Sequence, residues 1–182
     1  MLVNQVMSGQ VISCTPWETA EFAANLMKAH QIGAIPIVSD KRDPLLEGIV
    51  TDRDLCSGVV ATSKVAHTVS LADLMNRVPV TCQPDDTVAF CEELMRENQV
   101  RRIPVVDQRG RCVGIVAQAD IALHAPGLEV AQTIAEISKP SKAAPQPPHI
   151  EEGDFYCGQP HEMDEILLLN RRRKLRRQEV RT

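Results

Sequence analysis

Aromatic side chains are scarce in this chain: one Trp, one Tyr and three Phe, 3% of 182 residues. Hydrophobic residues still make up 43%, so a core can form, but it has to be aliphatic. No window approaches the roughly 18 apolar residues that a membrane helix needs. The opening MLVNQVMSGQ has no basic n-region, no long apolar run and no small-residue cleavage site, which speaks against a signal peptide. The six cysteines, at 14, 56, 82, 91, 112 and 157, make no CxxC pair. Several stand among apolar residues, so buried free thiols in a reducing cytosol are expected rather than disulfides. Walker and HExxH motifs are missing. The five histidines, at 30, 67, 124, 149 and 161, lack paired ligand spacing. His149, Cys157 and His161 are three scattered zinc donors without a fourth, for which an exposed tail is the simpler reading. Nothing brings a nucleophile, a base and a metal together, so an enzyme is not expected and no metal site is assigned.

Charge is unevenly spread. Residues 1–160 carry 13 basic and 20 acidic side chains, whereas residues 161–182 carry 7 basic and 4 acidic ones. The acidic body is a poor general surface for nucleic acid, and the tail is a separate electrostatic object.

An internal repeat organises the first two-thirds of the chain. TPWETAEFAANLMKAHQIGAIPIV (15–38) aligns with QPDDTVAFCEELMRENQVRRIPVV (83–106) at a constant offset of 68. The match continues in GIVTDRDL (48–55) and GIVAQADI (114–121) at offset 66. The first copy therefore holds two extra residues in its SDKRDPLLE loop, where an insertion marks a turn. Each copy reads strand, helix, strand, strand, helix. Short first strands are expected at 10–13 and 78–82. The following helices carry Phe22/Leu26 with Ala23/Met27, and Phe90/Leu94 with Cys91/Met95, an i, i+4 spacing that predicts a core-facing side. Asp85 or Asp86 is placed to cap the second helix, and His30 and Asn98 to close the two helices with residues that tolerate the left-handed conformation. AIPIV and RIPVV, followed by polar turns and by LEGIV and CVGIV, predict antiparallel hairpins, with each proline at a strand start or edge.

The pattern resembles the cystathionine-β-synthase (CBS) domain, and the pair resembles a Bateman module, over roughly residues 1–125. The residues that carry it are Val6 and Met7, echoed by Leu74 and Met75; the T-P and Q-P strand ends; the two I-P-[IV]-V strands; and GIVTDRD. The resemblance implies an α+β fold of two β-α-β-β-α repeats, 1–60 and 68–126, whose sheets pack face to face about a pseudo-twofold axis. A connecting segment and Pro-rich linker (127–149) and a tail with a basic helix (150–182) follow. It also implies two clefts between the repeats that take AMP, ADP, ATP or S-adenosylmethionine as a regulatory ligand, with no obligatory cofactor. Homodimers formed through the helices are a further implication.

GIVTDRDL makes physical sense by itself. A strand ends where a helix begins, with Thr51 as N-cap and Asp54 three residues on. A helix start suits a phosphate, the threonine hydroxyl adds a hydrogen bond, an aspartate accepts both hydroxyls of a ribose, and Arg53 adds a cation. The plain alternative is that Thr51 and Asp54 merely cap a helix. Carried over from the family, Asp54 and Thr51 work with Val80, Val100 and Pro104 of the other repeat. Arg101 and Arg102 stand where phosphates are reached, and an arginine fork suits them; a solvated or dimer-facing strand end is the alternative. The second cleft would join Asp120 to Ile12, Ile32, Gly33, Ala34 and Pro36, with no cation. Ala117 replaces the hydroxyl residue there, so a neutral nucleoside or no ligand is the expectation.

In the tail, KPSKAAPQPPH (139–149) reads as an extended linker. MDEILLLNRRRKLRRQEV reads as a helix with Asp164 and Glu165 at its start and the basic block 171–177 near its end, an order that complements the helix dipole. Its apolar run 166–169 is expected to pack on the body, a second subunit or a partner. The basic block would meet the acidic body, a protein target or nucleic acid, or stand as a solvated helix end. The leading expectation is thus a cytoplasmic, ligand-sensing homodimer with no membrane role. The alternative is a degenerate pair used as a scaffold for assembly.

Overall fold

In the computed structural model, residues 1–124 and 135–136 are described. The tail helix, the Pro-rich linker, and His149, Cys157 and His161 lie outside the described residues. Among the described residues no helix is long and apolar enough to cross a membrane.

The order is α1 (Ala20–His30), β1 (Ala34–Val38), β2 (Leu46–Thr51), α2 (Asp52–Leu55), α3 (Val88–Asn98), β3 (Arg102–Val106), β4 (Cys112–Ala117) and α4 (Gln118–His124). A π-helical turn, Cys56–Val60, continues α2. The strands form two antiparallel hairpins, β1 with β2 and β3 with β4. Their registers are equivalent: Ala34 faces Thr51 and Arg102 faces Ala117, and each hairpin has an irregularity one residue before the end of its first strand. The two extra residues of the first copy are absorbed in the turn beyond it.

The expected strands are not formed: nothing is paired at 10–13, where a single bridge sits one residue beyond, and only Cys82 of 78–82 pairs. Cys14 pairs in parallel with Ile37, and Cys82 with Val105. The bonds are Cys14 N–H to Pro36 O (3.1 Å) with Val38 N–H to Cys14 O (2.8 Å), and Cys82 N–H to Pro104 O (3.3 Å) with Val106 N–H to Cys82 O (2.9 Å). The next rung would need the amides of residues 36 and 104 as donors. Both are prolines, which have none, so the ladder stops.

Helices α1 and α3 turn the same stripe inward: Ala20, Ala23 and Met27, and Val88, Cys91 and Met95, are buried. Phe22 and Phe90 do not join them and are 42% and 45% exposed. A helix covering a two-stranded sheet needs only a narrow stripe, so the expected wider face is not used. The caps also differ from expectation. Thr19 and Thr87 accept from the amides of Phe22 (3.3 Å) and Phe90 (3.2 Å). Asp86 instead accepts the Gln83 amide at 2.7 Å, which leaves the hydroxyl residue after it at the cap. The left-handed residues are Gln31 and Gln99, both at φ 53°, one position beyond His30 and Asn98.

Two aliphatic cores result, and each is completed by the segment preceding the other repeat. Ile35, Ile37, Val50 and Met27 gather with Val69, Leu71 and Met75, while Ile103, Val105, Val116 and Met95 gather with Val3 and Val6. Matched backbone bonds fix the exchange. Val88 N–H donates to Met1 O (3.0 Å) and Val3 N–H to Asp86 O (2.9 Å), as Ala20 N–H donates to Val69 O (2.9 Å) and Leu71 N–H to Glu18 O (2.9 Å). Each fully buried aliphatic side chain contributes about 1.5–3 kcal/mol, so the two lobes cannot be separated at the repeat boundary without loss. The hairpin turns also bond to each other, Leu46 N–H to Gly110 O (3.0 Å) and Cys112 N–H to Pro44 O (2.8 Å).

Candidate functional site

Strand β2 runs directly into α2, so Thr51 is at once the last strand residue and the helix cap. Its backbone is extended, and its hydroxyl accepts the Asp54 amide at 3.3 Å. Asp54 Oδ2 in turn accepts the Thr51 amide at 2.8 Å and the Thr51 hydroxyl at 2.7 Å. This reciprocal capping box leaves Asp54 Oδ1 outside these bonds, on a half-buried carboxylate, and commits the hydroxyl proton of Thr51 to Asp54. A phosphate at this helix start would have to displace that bond. It would also face the carboxylates of Asp52 and Asp54 within a helix of four residues. Negative charge in the first turn offsets the attraction of the free amides.

A cation of the other repeat approaches this region at Gly33. A Cβ placed on Gly33 would stand 2.9 Å from Asp52 Oδ2 and 3.0 Å from Arg102 Nη2. The half-buried arginine of β3 therefore reaches across to Gly33, in the segment before β1. A side chain at 33 would push aside the tips of the guanidinium and the carboxylate, both of which can rotate away. Gly33 also belongs to the second cleft as read from the sequence. No cation was expected beside that cleft, and the Arg102 guanidinium stands close to Gly33.

The remaining predicted residues are distributed as follows. Pro36 and Pro104 are buried; Ile12, Ile32, Val80 and Val100 are half-buried; Arg53 and Arg101 are exposed. The Arg101 carbonyl accepts the Gln118 amide at 2.9 Å, which pins the start of α4 to the start of β3. At the second strand–helix junction, Asp120 Oδ2 accepts the Ala117 amide at 2.8 Å. Half of the capping box is thus retained without the hydroxyl. Asp52 was not singled out in the sequence, although it lies inside TDRD; that it and Arg102 both stand close to Gly33 involves distant segments, which no spacing reveals.

A cavity of about 350 Å³ lies at the opposite end of β1, lined by residues that include Ser13, Val38, Lys41, Pro44 and Cys112. Lys41 is held there by Glu18 at 2.7 Å. Burial pushes the Cys112 thiol up to about 11 and the Cys14 thiol up to about 12. Among the described residues no group of three or more His, Cys, Asp or Glu is placed to hold a metal ion.

The CBS domain profile matches residues 3–61 and 71–127. The uncharacterized protein MK0525 of Methanopyrus kandleri is 37% identical over 126 residues, 69% of this chain and 63% of that protein. The chain thus spans less than two-thirds of that relative. Two solved structures share the fold. Hypoxic Response Protein I, with two coordinated zinc ions, is 34% identical with a TM-score of 0.62, over 69% of this chain and 100% of that one. The CBS domain pair of protein MJ0100, in complex with 5′-methylthioadenosine and S-adenosyl-L-methionine, is 29% identical with a TM-score of 0.61, over 68% and 98%.

Proposed function

The chain belongs to the CBS domain family as a tandem pair, and from this we propose that it is a regulatory binding module whose ligand carries an adenosine group. The observation that carries the reading is the junction of β2 and α2, where a half-buried Asp54 is oriented by Thr51 with Oδ1 outside the capping bonds. A ribose diol is the complement of such a carboxylate, since both hydroxyls donate to it. Val80, Val100 and Pro104 supply the apolar side for the base. Arg102 is the cation for a ligand's charged end, with Arg53 and Arg101 exposed nearby. The adenosine compounds held by the CBS pair of MJ0100 support the same class.

The balance of charge narrows the choice. Two carboxylates and one reaching guanidinium favour a ligand with little net negative charge near the helix start. S-adenosylmethionine, 5′-methylthioadenosine and AMP fit this better than ADP or ATP. Asp120, with Ile12, Ile32 and Pro36, forms a second and weaker site. A second copy of the chain covers the exposed Phe22 and Phe90 on α1 and α3, giving a homodimer. The five described cysteines are free thiols, as suits a reducing cytoplasm. A thermal-shift panel of these five compounds, adenosine, inosine and GMP tests the reading, because a ligand that binds only the folded state raises its midpoint. A shift with at least one adenosine compound and none with inosine or GMP is the expected result. No shift with any of them favours the scaffold reading, in which Thr51 and Asp54 satisfy only each other.

A further inference from the structure

Repeat two contains a feature that repeat one lacks. Cys82 Sγ and Cys91 Sγ are 4.0 Å apart in a hydrogen bond, 3% and 0% exposed. At the same offset of 68, repeat one has Cys14 and Ala23, so its first lobe holds no such pair. We propose that Cys82 and Cys91 are a modification site: they close into a reversible intramolecular disulfide when the protein meets a hydroperoxide.

A disulfide needs the sulfurs at about 2.05 Å, so one of them has to move by roughly 2 Å. Cys91 is fixed on the inward stripe of α3. Cys82 is the freer partner. Cys82 itself touches the sheet through one bridge of two backbone bonds, because Pro104 removes the next donor; the residues after it are tied to the N-terminal segment, Asn4 N–H to Pro84 O and Val3 N–H to Asp86 O at 2.9 Å, whereas residues 79–81 before it are half-buried. Segments held by few bonds open locally at small free-energy cost, which also admits a small oxidant to a buried sulfur. The bond with Cys91 holds the Cys82 thiol below its usual range, while that same bond and burial push Cys91 up. The thiolate is the reactive form, and the sulfur on the less tightly held segment, Cys82, is the one that meets the oxidant.

The chemistry balances. The Cys82 thiolate attacks one peroxide oxygen, the O–O bond breaks, and Cys82 sulfenic acid and hydroxide result. The Cys91 sulfur then attacks Cys82 Sγ; the S–S bond forms, the S–O bond breaks, and the leaving hydroxide takes the Cys91 proton as water. Two thiols are oxidised by two electrons and one hydroperoxide is reduced. An external dithiol reverses the step by exchange. Cys82 lies two residues beyond Val80, so the link fixes a segment carried into the first cleft.

The test uses the full chain, exposed to graded hydrogen peroxide, alkylated with N-ethylmaleimide under denaturing conditions and mapped by peptide mass spectrometry. The expected product is the Cys82 peptide joined to the Cys91 peptide with loss of two hydrogens, released by dithiothreitol. Cys91→Ala reproduces the arrangement of repeat one; it should fold, give no joined peptide, and leave a dimedone-reactive Cys82. The exposed Cys56 calibrates the dose. If Cys82 and Cys91 both remain alkylated at a dose that oxidises Cys56, or if either joins another cysteine instead, the proposal is overturned.

Discussion

The two strand–helix junctions form a natural experiment, because one has the hydroxyl and the other has lost it. Asp54 and Asp120 accept the amides of Thr51 and Ala117 at the same 2.8 Å. The second junction is therefore built for a cap it does not possess. Thr51→Ala should cost about 1 kcal/mol, the usual loss of an N-cap hydroxyl. Ala117→Thr should return a gain of the same order, because Asp120 already occupies the position that receives the new hydroxyl. For a unit of roughly 125 residues the unfolding entropy translates 1 kcal/mol into about 4 °C of Tm. Scanning calorimetry of both variants and the double swap should show a fall, a rise and near-cancellation, since distant sites add. If Ala117→Thr lowers Tm, or Thr51→Ala leaves it within about 1 °C of the parent, the equivalence of the junctions is geometric only and the reasoning fails.

Three further outcomes follow from the packing and the charges. Gly48→Ala puts a Cβ 2.7 Å from the Asn76 carbonyl oxygen, backbone that cannot rotate away, so a urea melt should show a loss of about 1–3 kcal/mol; Gly9→Ala, with nothing within 4 Å, should leave the melt unchanged. Removing residues 1–7 takes Val3 and Val6 from the second core, and should lower stability by about 3–6 kcal/mol; an unchanged midpoint contradicts the exchanged lobes. Asp107 holds the turn between β3 and β4 by accepting from the amides of Arg111 and Arg109, each at 2.9 Å, and from Arg111 Nε at 2.8 Å. Those bonds, the Arg111 amide foremost, keep its carboxyl below the usual range. A depressed carboxyl stabilises the fold above the ordinary carboxylate range and ceases to do so as pH falls through its lowered value. Acid titration followed by amide exchange at Arg109 and Arg111 should show that loss, and Asp107→Asn should flatten it.

Much of this architecture is legible in the sequence because the repeat is. An offset of 68 that shifts to 66 places both hairpins and the longer turn of the first one, and TDRD places the capping box of Thr51 and Asp54. What is not legible depends on contacts between distant segments. The first strands looked regular because their residues are β-prone, and the missing donor belongs to a proline on the neighbouring strand. The stripe of α1 looked wide because Phe22 is apolar, yet a two-stranded sheet has no room for it. The exchange of residues 1–7 and 69–75 between lobes leaves no local signature, although Met7 and Met75 echo each other. The approach of Arg102 to Gly33 rests on an arginine crossing between repeats, and the proximity of Cys82 to Cys91 on the inward face of α3 meeting the bridge residue.

Calorimetric titration of the folded parent and of Asp54→Ala with 5′-methylthioadenosine, S-adenosylmethionine and AMP tests the central claim most directly. A hydrogen bond to a charged group contributes roughly 1.5–3 kcal/mol, and about 1.4 kcal/mol is tenfold in affinity. Asp120→Ala serves as the matched control in the second cleft. Saturable binding to the parent is expected, weakened about tenfold or more by Asp54→Ala and less by Asp120→Ala. Absence of binding by the parent, or a folded Asp54→Ala that binds as the parent does, would contradict it.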